Sequence, residues 1–154
     1  MKMAIGAFAA VLLCLCGAGC SNEFAENEYD SAEKISEKSD RYAKVGAVYN
    51  QTDSGCTFTA EKFDGRETVW TETTDAAYCA YAEISMKLSD GTAKLVLIDG
   101  GGNITTLIEC DPDELSGSAE SVSFSEGTSR LKIVGYDCEN VELTVQFSAK
   151  EAGK

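Results

Sequence analysis

The chain has 154 residues, one domain's worth, with 13 Lys and Arg against 26 Asp and Glu, a formal net charge of −13, 7 Cys and no His. Without histidine there is no Ser-His-Asp or Cys-His machinery and no His-ligated zinc. A chain this acidic is repelled by phosphate backbones, so nucleic acid is disfavoured as a partner, and at 44% hydrophobic it is too apolar for wholesale disorder.

Met1-Lys2-Met3 supplies a positive start, Ala4 to Cys16 is almost uninterruptedly apolar, and Gly17-Ala18-Gly19 precedes Cys20. The apolar run is shorter than the roughly 20 residues of a spanning helix, so it reads as a signal-peptide core. Small residues leading directly into a cysteine resemble the bacterial lipoprotein leader, with Ala18 and Gly19 in the two positions before Cys20 and Gly17 where that family usually has Leu. The resemblance implies a signal peptide over 1–19 and thioether lipidation of Cys20. It also implies a protein anchored by lipid on the extracytoplasmic face of the cell membrane. Acyl chains hold firmly because each buried CH₂ contributes about 0.8 kcal/mol.

Cysteine parity agrees with that reading. Cys14 and Cys16 leave with the leader and Cys20 is consumed by lipid, so Cys56, Cys79, Cys110 and Cys138 remain. An even set outside the cytoplasm predicts at least one disulfide, with the pairing open. Residues 20–44 read as an acidic, lipid-anchored tether. Within it, Ala32, Ile35, Ser39 and Tyr42 form a narrow helical stripe over Asp30–Lys44, with Glu37→Arg41 and Asp40→Lys44 as i,i+4 pairs.

Residues 45–150 carry strand signals. Cys56–Phe63 and Glu67–Glu72 flank Asp64-Gly65, which predicts a hairpin turn. Ala80, Ala82, Ile84, Met86 and Leu88 alternate with Tyr81, Glu83, Ser85 and Lys87; Ser89-Asp90-Gly91 reads as a turn into Ala93–Ile98. Asp99-Gly100-Gly101-Gly102-Asn103 has neither the Lys-Ser/Thr nor the helix of a phosphate loop and reads as a wide hairpin turn into Ile104–Cys110. Asp111–Ala119 reads as the longest loop, and Val141, Leu143, Val145 and Phe147 alternate with Glu142, Thr144, Gln146 and Ser148. About eight strands without helices between them predict an all-β fold, an antiparallel β-sandwich of jelly-roll-like type. The strand and Asp-Gly rhythm from Lys62 to Phe147, behind this leader, is also similar to small uncharacterised β-sandwich lipoproteins of Gram-positive bacteria. That resemblance implies the sandwich and no catalytic residue.

Chemistry-bearing candidates are few. Asp111, Asp113 and Glu114 offer hard oxygens for Ca²⁺ but lack EF-hand spacing, so a solvated acidic loop is favoured and no metal or cofactor is expected. Trp70 and Tyr81 are candidates for a flat ligand platform, although a lone Trp in a small sandwich more often belongs to the core. With no nucleophile motif and no distinguishable carboxylate pair, the chain reads as a non-enzymatic binding or interaction module with an unknown protein or glycan partner. The alternatives are a carbohydrate-binding module of a surface polysaccharide system, or an accessory or inhibitory subunit of an envelope complex.

Overall fold

The computed structural model describes residues 23–112 and 115–152; the leader and Cys20 lie outside the described residues. Two short helices, α1 (Glu23–Tyr29) and α2 (Ala32–Ser36), precede eight strands among the described residues. These are β1 (Arg41–Val45), β2 (Val48–Thr52), β3 (Gly55–Thr74), β4 (Tyr78–Lys87), β5 (Asp90–Ile98), β6 (Ile104–Cys110), β7 (Leu115–Phe124) and β8 (Gly127–Ala152). All pairings are antiparallel.

The registers reveal how eight strands make two layers. β3 pairs with β8 along nearly its whole length, from Gly55 opposite Gln146 to Thr74 opposite Gly127. On its other side β8 is matched by β4 and then β5, with Lys87 opposite Glu142 and Asp90 opposite Glu139. One layer is therefore β2, the first half of β3, the second half of β8, β4 and β7. The other is β1, the second half of β3, the first half of β8, β5 and β6. The long strands cross from layer to layer by bending, a device that lets two packed sheets share strands.

This geometry corrects two expected turns. Asp64-Gly65 lies inside β3 at a register shift, where Gly65 has φ +106° and a Cβ would sit 2.1 Å from the Arg41 carbonyl. Glycine is needed there because β1 crosses close to the bend, and the hairpin into β3 is made earlier, at Asp53-Ser54. Ser89-Asp90-Gly91 is likewise a bend, since β4 and β5 run on in one direction beside β8. The bend of β8 itself falls at Asp137 and Asn140, both at positive φ, tolerable for short polar side chains that bond locally. The loop expected over Asp111–Ala119 is shorter, because β7 begins at Leu115.

The core lies between the layers. Val141, Leu143 and Val145 are buried with Phe147 packed against them, and Ile84 and Met86 of β4 and Leu88 just beyond it are buried as well. Tyr81, Glu83, Lys87, Glu142, Thr144 and Gln146 are exposed, as the alternation predicts. The expected helix over Asp30–Lys44 is cut to Ala32–Ser36, and Arg41–Val45 joins the sheet. Ile35 is buried, whereas Tyr42 lies exposed on a strand; the pairs expected at Glu37–Arg41 and Asp40–Lys44 give way to bonds with the sheet. Among the described residues no helix is long and apolar enough to cross a membrane.

Candidate functional site

The two outer faces of the sandwich differ in what the strands offer and in what covers them. On the β2–β7 layer the outward residues form cross-strand rows. Tyr81 stands between Ser121 and Ser148, Glu83 between Ala119 and Gln146, and Ser85 between Gly117 and Thr144; Thr144 is flanked on its other side by Thr57. Small side chains leave a shallow open groove of about 440 Å³ lined by Glu83, Ser85, Gly117, Thr144 and Gln146. Gln146 donates from Nε2 to the Ser54 carbonyl at 3.1 Å, which fixes its amide along the sheet. Tyr81, 46% exposed, is the large aromatic of this face. The face offers hydroxyl, amide and carboxylate groups and one ring, with exposed Val48 and Leu115 on its edge strands.

Trp70 does not belong to it. A register shift between Thr68 and Trp70 makes a bulge, and a bulge changes the side-chain alternation, so Val69 and Trp70 both enter the core. Trp70 is 2% exposed, packs on Phe124 and Phe147 with centroids 5.8 and 4.8 Å away, and donates from Nε1 to the Thr52 carbonyl at 3.2 Å. The indole is a core residue with a satisfied donor, and no platform pairs it with Tyr81.

The outward face of the other layer is cationic and occupied. Arg66, Lys94, Arg130 and Lys132 project from β3, β5 and β8, and the segment Glu23–Asp40 lies across them. Arg66 pairs with Glu28 and with Glu37, Lys94 with Asp30 at 2.8 Å, and Lys132 with Asp40 at 3.2 Å. Lys132, 0% exposed, also donates to the carbonyls of Glu37 and Ser39, at 2.5 and 3.1 Å; burial pulls its pKa below the ordinary lysine value. Tyr29 adds an apolar and polar anchor. Its ring meets Tyr136 edge-on, Lys94 Nζ lies 4.0 Å from its centroid, and its hydroxyl donates to Glu109 at 2.7 Å. Burial, and then that acceptor, push the phenol well above its ordinary pKa. Ser21–Asp30 reads as a solvated tether and the helix after it as either docking through Ile35 and Tyr42 or fraying. Residues 23–40 instead form a strap bonded to the sheet, docked through Ile35 and not through Tyr42. No i,i+3 or i,i+4 pattern could reveal this, because the strap's acids meet cations about 30 to 90 positions away in sequence.

The expected disulfide is absent: none of the four cysteines is disulfide-bonded. Their register explains it. Cys56 on β3 and Cys138 on β8 sit in opposite halves of the bent strands, with Cys56 opposite Val145 and Cys138 opposite Phe63. Cys110 opposes Ala93, and the β5 strand stands between it and β8, about two ladder spacings of roughly 4.8 Å. A disulfide requires Cα atoms within about 7 Å. Cys79 lies half-buried beside Ser123, its Sγ 3.4 Å from the hydroxyl. Burial pushes the Cys56 and Cys138 thiols up to about 12, so both are inert small hydrophobes.

Of the calcium candidates, Asp111 is exposed beyond β6, and Asp113 and Glu114 lie outside the described residues. Among the described residues no group of three acids or cysteines converges as a metal site. The Asp99–Asn103 segment is the hairpin turn expected: Gly102 donates to the Asp99 carbonyl at 2.9 Å and Asp99 Oδ1 accepts from the Asn103 amide at 2.8 Å. Partial burial raises the Asp99 carboxyl, but hydrogen bonds from Asn103 and Ser125 outweigh it and hold the pKa below the usual value.

No family model matches the chain, and no curated protein does. Among solved structures it is similar to a carbohydrate-binding module of Cellvibrio mixtus lichenase 5A in complex with cellotriose, at 13% identity and TM-score 0.38, over 78% of this chain and 95% of that one. A family 29 carbohydrate-binding module gives 10% identity and TM-score 0.42, over 75% and 78%. An exo-β-1,3-galactanase from Phanerochaete chrysosporium with β-1,3-galactotriose gives 7% identity and TM-score 0.40; there 72% of this chain spans 28% of the galactanase. At such identities no residue role transfers, and the fold they accompany is an all-β antiparallel sandwich.

Proposed function

We propose that this protein is a lipid-anchored extracytoplasmic lipoprotein whose sandwich is a non-enzymatic binding module, with the open face of β2, β3, β8, β4 and β7 as its ligand surface. One observation carries the reading. Of two outer sheet faces, one is occupied by the strap, while the other is open and lined by Tyr81, Glu83, Ser85, Thr144 and Gln146. An extended glycan is the ligand class that such a face fits: hydroxyls and amides spaced by the sheet meet sugar hydroxyls, and Tyr81 offers a ring to a pyranose. Its exposed apolar side chains, Val48 and Leu115, stand apart on the two edge strands and leave the polar rows between them.

Glycan-array binding lost in Tyr81→Ala and weakened in Gln146→Ala is the result expected, with Thr68→Ala on the opposite face unchanged. A flat array, combined with capture of one specific protein from intact cells that Tyr81→Ala abolishes, replaces the glycan by a protein partner on the same face. Anchoring has its own test. The native protein should partition into the detergent phase, and Cys20→Ser should leave it in the aqueous phase or unprocessed. An unchanged membrane fraction in that variant defeats the anchor.

A further inference from the structure

A cleft of about 470 Å³ opens between the end of the strap and the β5–β6 turn, and its lining includes neither Tyr81 nor any of the ion-paired side chains of the strap. We propose that it binds a small oxyanion: a carboxylate, phosphate or sulfate group carried on a compact polar molecule.

The charge pattern carries the argument. In a chain of net charge −13, cations are expected to find carboxylates, and Arg66, Lys94 and Lys132 do so. The two cations lining this cleft do not: among the described residues neither Lys38 nor Arg130 has a carboxylate partner. Arg130 is nevertheless held in place, because Nη1 donates to the Glu37 carbonyl at 3.0 Å and Nη2 to the Ser36 carbonyl at 3.1 Å. Those bonds use two of its five N–H donors and leave its charge uncompensated. A guanidinium fixed by neutral acceptors beside an exposed ammonium is an arrangement suited to a planar or tetrahedral oxyanion.

The opposing term is Asp99, the acid of the lining. Its carboxylate is turned into its own loop, with Oδ1 accepting from the Asn103 amide and Oδ2 from Asn103 Nδ2 at 2.9 Å and the Ser125 hydroxyl at 2.7 Å. Two cations therefore face one acid whose oxygens are engaged. The turn leaves space as well. Gly102, at φ +85°, would place a Cβ with nothing within 4 Å, and Thr128, its hydroxyl bonded to that of Thr73 at 2.9 Å, lines the β8 side. The volume lies in the ordinary range of small-ligand pockets, roughly 300–1,000 Å³. Because Lys38 lies on the strap segment and Arg130 on the sheet, the site exists only with the strap docked, and a bound anion stabilises that state by linkage.

The experiment is an NMR titration of the ¹⁵N-labelled full chain in detergent with sodium phosphate and, separately, sodium glucuronate. Saturable shifts are expected at Lys38 and at Gly100, Gly101 and Gly102. Affinity should weaken about threefold to fivefold in Lys38→Gln, the range of an exposed ion pair, and by more in Thr128→Asp, which sets a carboxylate in the cleft. Both positions are exposed, so an unchanged spectrum elsewhere certifies the fold. Tyr81→Ala should leave these shifts intact, which separates this site from the proposed ligand face. Linear, unsaturable shifts with both anions, or equal affinity in Lys38→Gln and Thr128→Asp, would overturn the proposal.

Discussion

The two halves of β8 are made from the same alternation and end in different environments. In the second half the outward residues Glu142, Thr144 and Gln146 stay in water; in the first half the outward residues Arg130, Lys132 and Val134 lie under the strap, half-buried or buried. Both halves put Leu131, Ile133, Leu143 and Val145 into one core. The difference is set by residues distant in sequence. Val134 joins Tyr29, Ile35, Val96 and Ile98 in a second apolar cluster, and the cations beside it become buried only because Glu28, Asp30, Glu37 and Asp40 neutralise them. A sheet face that would carry a positive stripe is converted to packing, while the outer face of the other layer stays uncovered among the described residues.

The sharpest way to break this contrast is to remove a cation from the covered face. Arg66→Ala leaves Glu28 buried without its guanidinium and should cost about 3–5 kcal/mol, as breaking a buried pair does. A urea melt indistinguishable from the parent would mean that the Arg66 pairs with Glu28 and Glu37 add nothing net to holding the strap. Next comes the shared core: Leu143→Ala should cost about 2–5 kcal/mol. On the open face, one residue along, Thr144→Ala should stay within about half a kcal/mol. Equal destabilisation by these two neighbours would refute the face assignment.

Acid should separate the faces more gently. The Lys34 ammonium, and then the Arg66 guanidinium, hold the Glu37 carboxyl below its ordinary value of 4.5 despite some desolvation. A carboxyl lowered in the folded state contributes stability above its unfolded pKa and loses it as pH falls through the folded one. The strap should therefore loosen below about pH 4.5, seen as NMR shift changes at Tyr29 and Ile35 before any at Met86. Simultaneous change at all three would indicate one cooperative unit. The smallest effect is chemical: in the native protein Cys79 should alkylate first and Cys56 and Cys138 last, and denaturation should release four thiols. Recovery of a disulfide from protein exported by its native host would show that the register around these cysteines differs from the one described.

Period-two alternation over Val141–Phe147 and Ala80–Leu88 was enough to assign fold class, core and exposed residues, because one-sided burial of a strand writes itself into every second position. The exposure of Tyr81 followed from that alone. The alternation says nothing about strand continuity, so Asp64-Gly65 and Ser89-Asp90-Gly91 read as turns when they are bends: the same φ-permissive residues serve both, and only the pairing with β8 distinguishes them. A local bulge hid the burial of Trp70 for a related reason, since it shifts the period at one residue.

The features legible in the residues alone are therefore local: a leader-like N-terminus, an acidic histidine-free chain, and strands with a wet and a dry side. The tertiary structure alone decided which wet side stays open. Whether Lys132 is a surface lysine or a fully buried clamp depends on Asp40 and on the Glu37 and Ser39 carbonyls, more than 90 residues away in sequence. Charge pairing across such distances leaves no periodic trace, because Coulomb attraction and desolvation depend on separation in space and not along the chain.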